Sequence, residues 1–171
     1  MPVTLSSLNQ SDQADFTAAL GHLFEHSPWV AEETWPQRPF ADADALHAAL
    51  CRTMRAAPRE QQLALIRAHP DLAGRLAQQK QLTAESTREQ ASAGLDRLTD
   101  AELAAFTRQN DTYKARFGFP FIICARLNAK AAILEAMATR VNHSPETEFT
   151  TALGEIEKIA RLRLGDVLKQ D

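Results

Sequence analysis

Apolar residues recur at spacings of three and four along almost the whole chain, and no stretch alternates at period two for long. That periodicity favours helices and leaves little from which to build a sheet. Composition agrees. Ala, Leu, Glu, Gln and Arg dominate, all good helix formers, and Val is rare. With 171 residues, 44% hydrophobic and 24% charged, the chain reads as all-α: a single compact domain over residues 1–171, of about eight helices, some very short.

Local signals place the elements. Ser11 reads as the cap of a first helix carrying Phe16, Leu20, Leu23 and Phe24 on one face. Ser27-Pro28 reads as N-cap plus first helical residue of a short helix through Trp29 and Trp35, closed by Pro36 and Pro39. Asp42 starts a helix with Leu46, Leu50 and Met54 at spacing four, and another runs from Pro58 to His69, where Pro70 stops it. A short helix is read at Leu72 to Gln79, and Thr83 caps one that ends near Gly94. Thr99-Asp100-Ala101-Glu102 is a capping box opening a helix with Leu103, Phe106, Tyr113 and Phe117, and Gly118 is its natural C′ residue. The β-like run from Phe119 to Cys124 is too short to make a sheet alone and reads as a buried extended connector. Ile133, Leu134, Met137 and Val141 mark another helix, and Ser144-Pro145 opens the last.

Several function classes lose their signal. Net charge is −3 and the isoelectric point is about 6.0, so no basic field favours nucleic acid. Six scattered glycines form neither GxGxxG nor GxxxxGK[ST]. Cys51 and Cys124, with no CxxC, argue against cysteine-ligated zinc and a disulfide scaffold, and they fit a reducing cytoplasm. The N-terminal MPVTLSSLNQ has no basic or apolar signal region, and the terminal KQD is not a peroxisomal address. No apolar run approaches the roughly 18 residues of a membrane span. His22 and His26 stand at i, i+4, a spacing that can hold zinc, but no HExxH and no evident third ligand accompany them, so no metal is expected. Cys124, in an apolar run, is expected to pack rather than attack.

Polar residues that interrupt apolar patterns are the informative ones, because burying a polar group is costly. Phe149, Leu153, Ile156, Ala160, Arg163 and Val167 follow helical steps, so Arg163 sits in a core-facing stripe. It can pack its stem and snorkel, form a structural ion pair, or line a cavity and grip a polar substrate with its forked head. Fourteen of the nineteen cationic side chains are arginines, which matters for carboxylate recognition only where one is buried. Ser86, Glu89, Gln90 and Ala93 share one helix face, and the three polar groups suit a heterocycle or a urea group. A polar segment of this kind is more often a solvated face. His69 ends a helix, where the macrodipole favours the protonated imidazole, and Pro70 fixes the chain direction beyond it. Such a histidine suits general acid work, although a structural capping role is the commoner one.

Together these segments resemble the 2-oxo-4-hydroxy-4-carboxy-5-ureidoimidazoline (OHCU) decarboxylase family of urate breakdown. The resemblance rests on His69-Pro70-Asp71-Leu72-Ala73-Gly74, on Ser86 to Gln90 leading to Ala93-Gly94-Leu95, and on Asn110 through Tyr113 to Phe117-Gly118-Phe119-Pro120-Phe121-Ile122. Arg38-Pro39-Phe40, Arg126, Lys158-Ile159 and Leu162-Arg163-Leu164 also match, in the family order and over nearly the whole chain. It implies an all-α homodimer, with no cofactor, that converts OHCU, a small ureidoimidazoline, to (S)-allantoin and carbon dioxide. It further implies His69 as catalytic acid, with Glu89 also in the catalytic set. Pro70, Ser86, Glu89, Gln90 and Arg163 would line the substrate pocket, and the backbone of Phe121, Ile122, Ile123, Cys124 and Ala125 would add hydrogen bonds. Two other readings stand beside it: a non-catalytic helical interaction module, and a ureidohydrolase acting on a related ureido acid. The first would use the same polar residues as caps and surface pairs. The second, if metal-dependent, would need bound metal.

Overall fold

Side-chain caps decide where most helices begin. The computed structural model describes residues 3–170, and ten α-helices account for most of them. Thr4 and Ser7 cap each other across the start of α1 (Leu5–Gln10), a helix too short for periodicity to reveal. Asp12, one residue after the expected Ser11, caps α2 (Gln13–Leu20). α3 (Trp29–Thr34) lacks a side-chain cap, because the Ser27 hydroxyl is turned to the Glu25 carbonyl, and Trp35–Gln37 continues it as a 3-10 turn. Asp42 caps α4 (Ala43–Ala56) as expected, and α5 (Arg59–Ala68) stops just before His69.

Of the stretch read as a helix over Leu72 to Gln79, only α6 (Arg75–Gln78) forms. Residues 71–73 are drawn out of helical geometry by bonds from other elements. Thr83 caps α7 (Ala84–Ser92), the Thr99–Glu102 box opens α8 (Asp100–Phe117), and Gly118 ends it in the left-handed region at φ 75°. The run after Gly118 stays extended and unpaired as far as the 3-10 turn Ala125–Leu127. α9 (Lys130–Arg140) and α10 (Pro145–Val167) complete the chain, the latter opened by the Ser144 hydroxyl. Among the described residues the sheet content is one unexpected two-residue parallel pair, β1 (Val3–Thr4) with β2 (Leu168–Lys169), Val3 opposite Leu168.

The helices sort into two compact units. One gathers the chain up to Ala68 and the stretch from Glu157 on. In it α2 packs on α3 and α3 on α4, burying Phe16, Leu20, Leu46, Leu50 and Met54 completely. The Asn9 carboxamide holds both backbone groups of Phe40, just after the cis Arg38-Pro39 peptide. The other unit runs from His69 to Ile156. In it α8 packs on α9, and α7 on the 3-10 turn at Ala125–Leu127. Its buried aromatic cluster joins Tyr113 to Phe119 and Phe121, both edge-on at 6.1 and 5.3 Å between ring centres.

Candidate active site

The second unit contains every expected site residue except Arg163. α7 supplies the polar face, and that face points inward: Ser86, Gln90 and Ala93 are buried and Glu89 is half-buried. The solvated-face alternative therefore fails. Glu89 is close enough to Cys124 for its charge to act on that thiol, which is held above its ordinary range first by burial, then by Glu155 and Glu89. A thiol so placed stays protonated and packs, as expected.

The segment after α5 carries the next two expected residues. His69 is buried at a bend, and Pro70 is half-buried. Gln90 ties the following residues to α7: its Oε1 accepts from the Ala73 N–H at 2.9 Å, and its Nε2 donates to the Asp71 carbonyl at 3.2 Å. A carboxamide has four hydrogen-bonding positions, so two remain after these bonds. α8 adds the Asn110 amide on the Leu72 carbonyl at 2.8 Å and the Lys114 ammonium on the Asp71 carboxylate at 2.7 Å.

Phe121, Ile122, Ile123, Cys124 and Ala125 are all buried. Sequence reasoning missed what fixes their backbone. Arg140 of α9 donates to the Ile122 carbonyl at 2.7 Å and lies 4.2 Å over the Phe121 ring. The same guanidinium donates to Glu148, which also accepts from the Tyr113 hydroxyl at 2.5 Å and lies 3.0 Å from His143 Nδ1. Glu155 faces the Cys124 N–H at 3.4 Å. A pocket of about 500 Å³ runs along α7, bounded by Thr87, Gln90 and Ala91 with Leu82, Leu95, Leu98 and Leu103; of the expected site residues only Gln90 lines it. That volume is within the range of small-molecule sites.

Arg163 belongs to the first unit, buried at 3% exposure. It does not snorkel. Nη2 donates to Glu25 at 3.0 Å, and Nη1 donates to the His22 carbonyl. Glu25 was missed, although its signal is the one that singled out Arg163: a charge among apolar neighbours, here Leu20, Leu23 and Phe24. His22 and His26 are exposed, and no three His, Cys, Asp or Glu side chains among the described residues are grouped to hold a metal ion.

Fold and site together define an all-α protein whose second unit turns hydrogen-bonding groups from a loop, a helix face and an extended segment inward. The chain belongs to the OHCU decarboxylase family, whose profile matches residues 9–165. A 2-oxo-4-hydroxy-4-carboxy-5-ureidoimidazoline decarboxylase from Halalkalicoccus jeotgali is 46% identical over 96% of this chain and 92% of its own length. The mouse (Mus musculus) protein of the same name is 42% identical over 94% of this chain and 90% of its own. Among solved structures, an (S)-allantoin synthase is similar over 98% of this chain with a TM-score of 0.77 and 33% identity. This chain covers 54% of that protein.

Proposed function

We propose that this protein is a carboxy-lyase that decarboxylates OHCU to (S)-allantoin in urate degradation. Identity of 46% across nearly all of both chains with a decarboxylase of that name is the observation that carries the reading.

The chemistry suits a site of this kind. OHCU bears its carboxylate on a carbon next to a C=N bond. Heterolysis of the C–C bond releases carbon dioxide, and the electron pair moves toward the imine, whose nitrogen takes up a proton. The neighbouring hydroxyl then becomes a carbonyl as a proton adds to the ureido-bearing carbon from one face, which sets the S configuration. The substrate supplies its own electron sink, so the reaction requires no pyridoxal, thiamine or metal for that purpose. The protein's tasks are orientation, charge stabilisation and one-sided proton delivery.

In this proposal His69 orients the leaving carboxylate and takes part in proton transfer. Glu89 and Gln90 hold N–H and C=O groups of the ring or ureido arm, with Ser86, Pro70 and the backbone of Phe121 to Ala125 completing the contacts. The apolar side chains from Phe119 to Ile123 exclude water and strengthen those contacts. The family resemblance assigns Arg163 a polar oxygen of the substrate. It also supports a homodimer acting in the cytoplasm. No helix among the described residues is long and apolar enough to cross a membrane.

The test is stereochemical. OHCU generated enzymatically and used at once should give (S)-allantoin by circular dichroism with the protein present, and slow racemic product with His69→Asn. Undiminished turnover by that variant removes His69 from its role. No acceleration by the unaltered protein removes the proposed reaction.

A further inference from the structure

We infer that Asn110 is a positioning residue for this reaction, acting through the loop that carries His69. The inference rests on the proposed role of His69.

Three side chains from α7 and α8 make four bonds to the consecutive residues Asp71, Leu72 and Ala73. Gln90 takes the Ala73 N–H and the Asp71 carbonyl, Asn110 the Leu72 carbonyl, and Lys114 the Asp71 carboxylate. This backbone does not adopt its course by default. Ala73 has φ 50°, a left-handed conformation that a residue with a Cβ adopts only when its surroundings over-determine it. The clamp supplies that determination one residue beyond His69-Pro70, and Pro70 transmits it stiffly because its φ is fixed.

Asn110 is the member of the clamp that stability explains least. It is 3% exposed, and its Oδ1 is buried with no hydrogen-bond partner among the described residues. A buried acceptor left without a donor is costly, and one ordinary hydrogen bond returns little more than it takes. A leucine has the same branching of four side-chain heavy atoms and would continue the stripe of Phe106 and Tyr113, but it would leave the Leu72 carbonyl without this donor. What the amide contributes is the direction of the Leu72 carbonyl, and with it the course of the loop. Misplacement of about 1 Å at a reacting group can cost on the order of a hundredfold in rate.

The experiment compares Asn110→Leu and Lys114→Met with the unaltered protein and with His69→Asn. It measures kcat and KM on fresh OHCU, the His69 imidazole signals by NMR, and the thermal midpoint. Asn110→Leu is expected to lower kcat about tenfold or more with KM changed less than about threefold, and to shift the His69 signals well below its melting temperature. Lys114→Met, which removes a half-exposed contact, should do the same to a smaller degree, and it decides the matter if Asn110→Leu does not fold. Unchanged kcat with unshifted His69 signals in a folded variant overturns the inference, even if the midpoint falls, because that is the mark of packing alone. A fully active His69→Asn overturns the reading beneath it instead. An inactive His69→Asn beside a fully active Asn110→Leu overturns the inference and leaves that reading standing.

Discussion

The hydroxyl of Tyr113 donates to the carboxylate of Glu148 at 2.5 Å, and neither side chain reaches solvent. Burial, then the bond and charge of Glu148, hold this phenol well above its ordinary range. The unfolded phenol titrates near 10. A group raised on folding contributes stability that is complete below its unfolded pKa and is lost as pH climbs above it. Stability to urea should therefore fall as pH rises beyond about 10. Tyr113 is the chain's only tyrosine, so tyrosinate absorbance reports it cleanly. That absorbance should appear together with loss of helical circular dichroism; a tyrosinate signal from the intact fold would contradict the geometry.

Arg140 compensates the Glu148 charge at the same oxygen, Oε1, that accepts from Tyr113, 2.9 Å away, with 9% of its own side chain exposed. Arg140→Met leaves a buried carboxylate without its main counter-charge, a loss of about 3–5 kcal/mol. It also frees the Ile122 carbonyl that the guanidinium holds. Adding Glu148→Gln to Arg140→Met should recover much of the stability but not the position of Ile122. A double variant that regains both its melting temperature and its activity would show that the bond to Ile122 is dispensable.

Cys51 is buried beside His47, with Sγ 3.3 Å from Nε2, and Glu157 adds negative charge nearby. Burial first and Glu157 second push its thiol up to about 12. Cys124 is also raised. At pH 8 neither thiol should react with a disulfide reagent in the native protein, and both should react in denaturant. The contribution of Cys51 to stability is complete below the unfolded thiol range and declines as pH rises toward 12. Rapid native labelling would contradict this burial.

Arg163 and Glu25 form a buried pair with 4% and 2% of their side chains exposed. Arg163→Ala removes the guanidinium bonded to the buried Glu25, so a loss of about 3–5 kcal/mol in chemical denaturation is expected whatever the arginine does for substrate. Arg163→Met with Glu25→Gln should be markedly more stable than Arg163→Ala. Its KM then reads the substrate contact free of the folding defect, and an unchanged KM would leave Arg163 a structural residue only.

Legibility followed the range of the interactions. The caps at Asp42, Thr83 and Thr99 and the left-handed Gly118 depend on neighbours within a few residues, and the sequence displays them. The inward face of α7 was visible as a pattern, but its direction was not, because burial depends on what packs against it. Asn110 interrupts the stripe Leu103, Phe106, Tyr113, Phe117 just as Arg163 interrupts that of α10, yet its partner carbonyl is 38 residues away. Glu148 lies in the first turn of α10, where an acidic residue is ordinarily a solvated favourable charge. Its complete burial comes from Tyr113, 35 residues earlier, and Arg140.

Gly74 and Gly154 should respond to alanine in opposite directions. A Cβ at Gly74 would lie 2.5 Å from the Asp71 Cβ, inside any real contact distance, so Asp71 must move. Asp71 carries the Lys114 ion pair and one Gln90 bond, and its displacement loosens the clamp beyond His69. Gly74→Ala should lower both the melting temperature and kcat. Gly154, by contrast, lies within α10, and an added Cβ meets nothing within 4 Å. Gly154→Ala should raise stability by about 0.4–1 kcal/mol through reduced unfolded-state entropy, with kcat unchanged. Melting curves and steady-state rates on the two variants test both statements, and a Gly74→Ala protein with unaltered midpoint and rate would show that Asp71 moves without loosening the clamp.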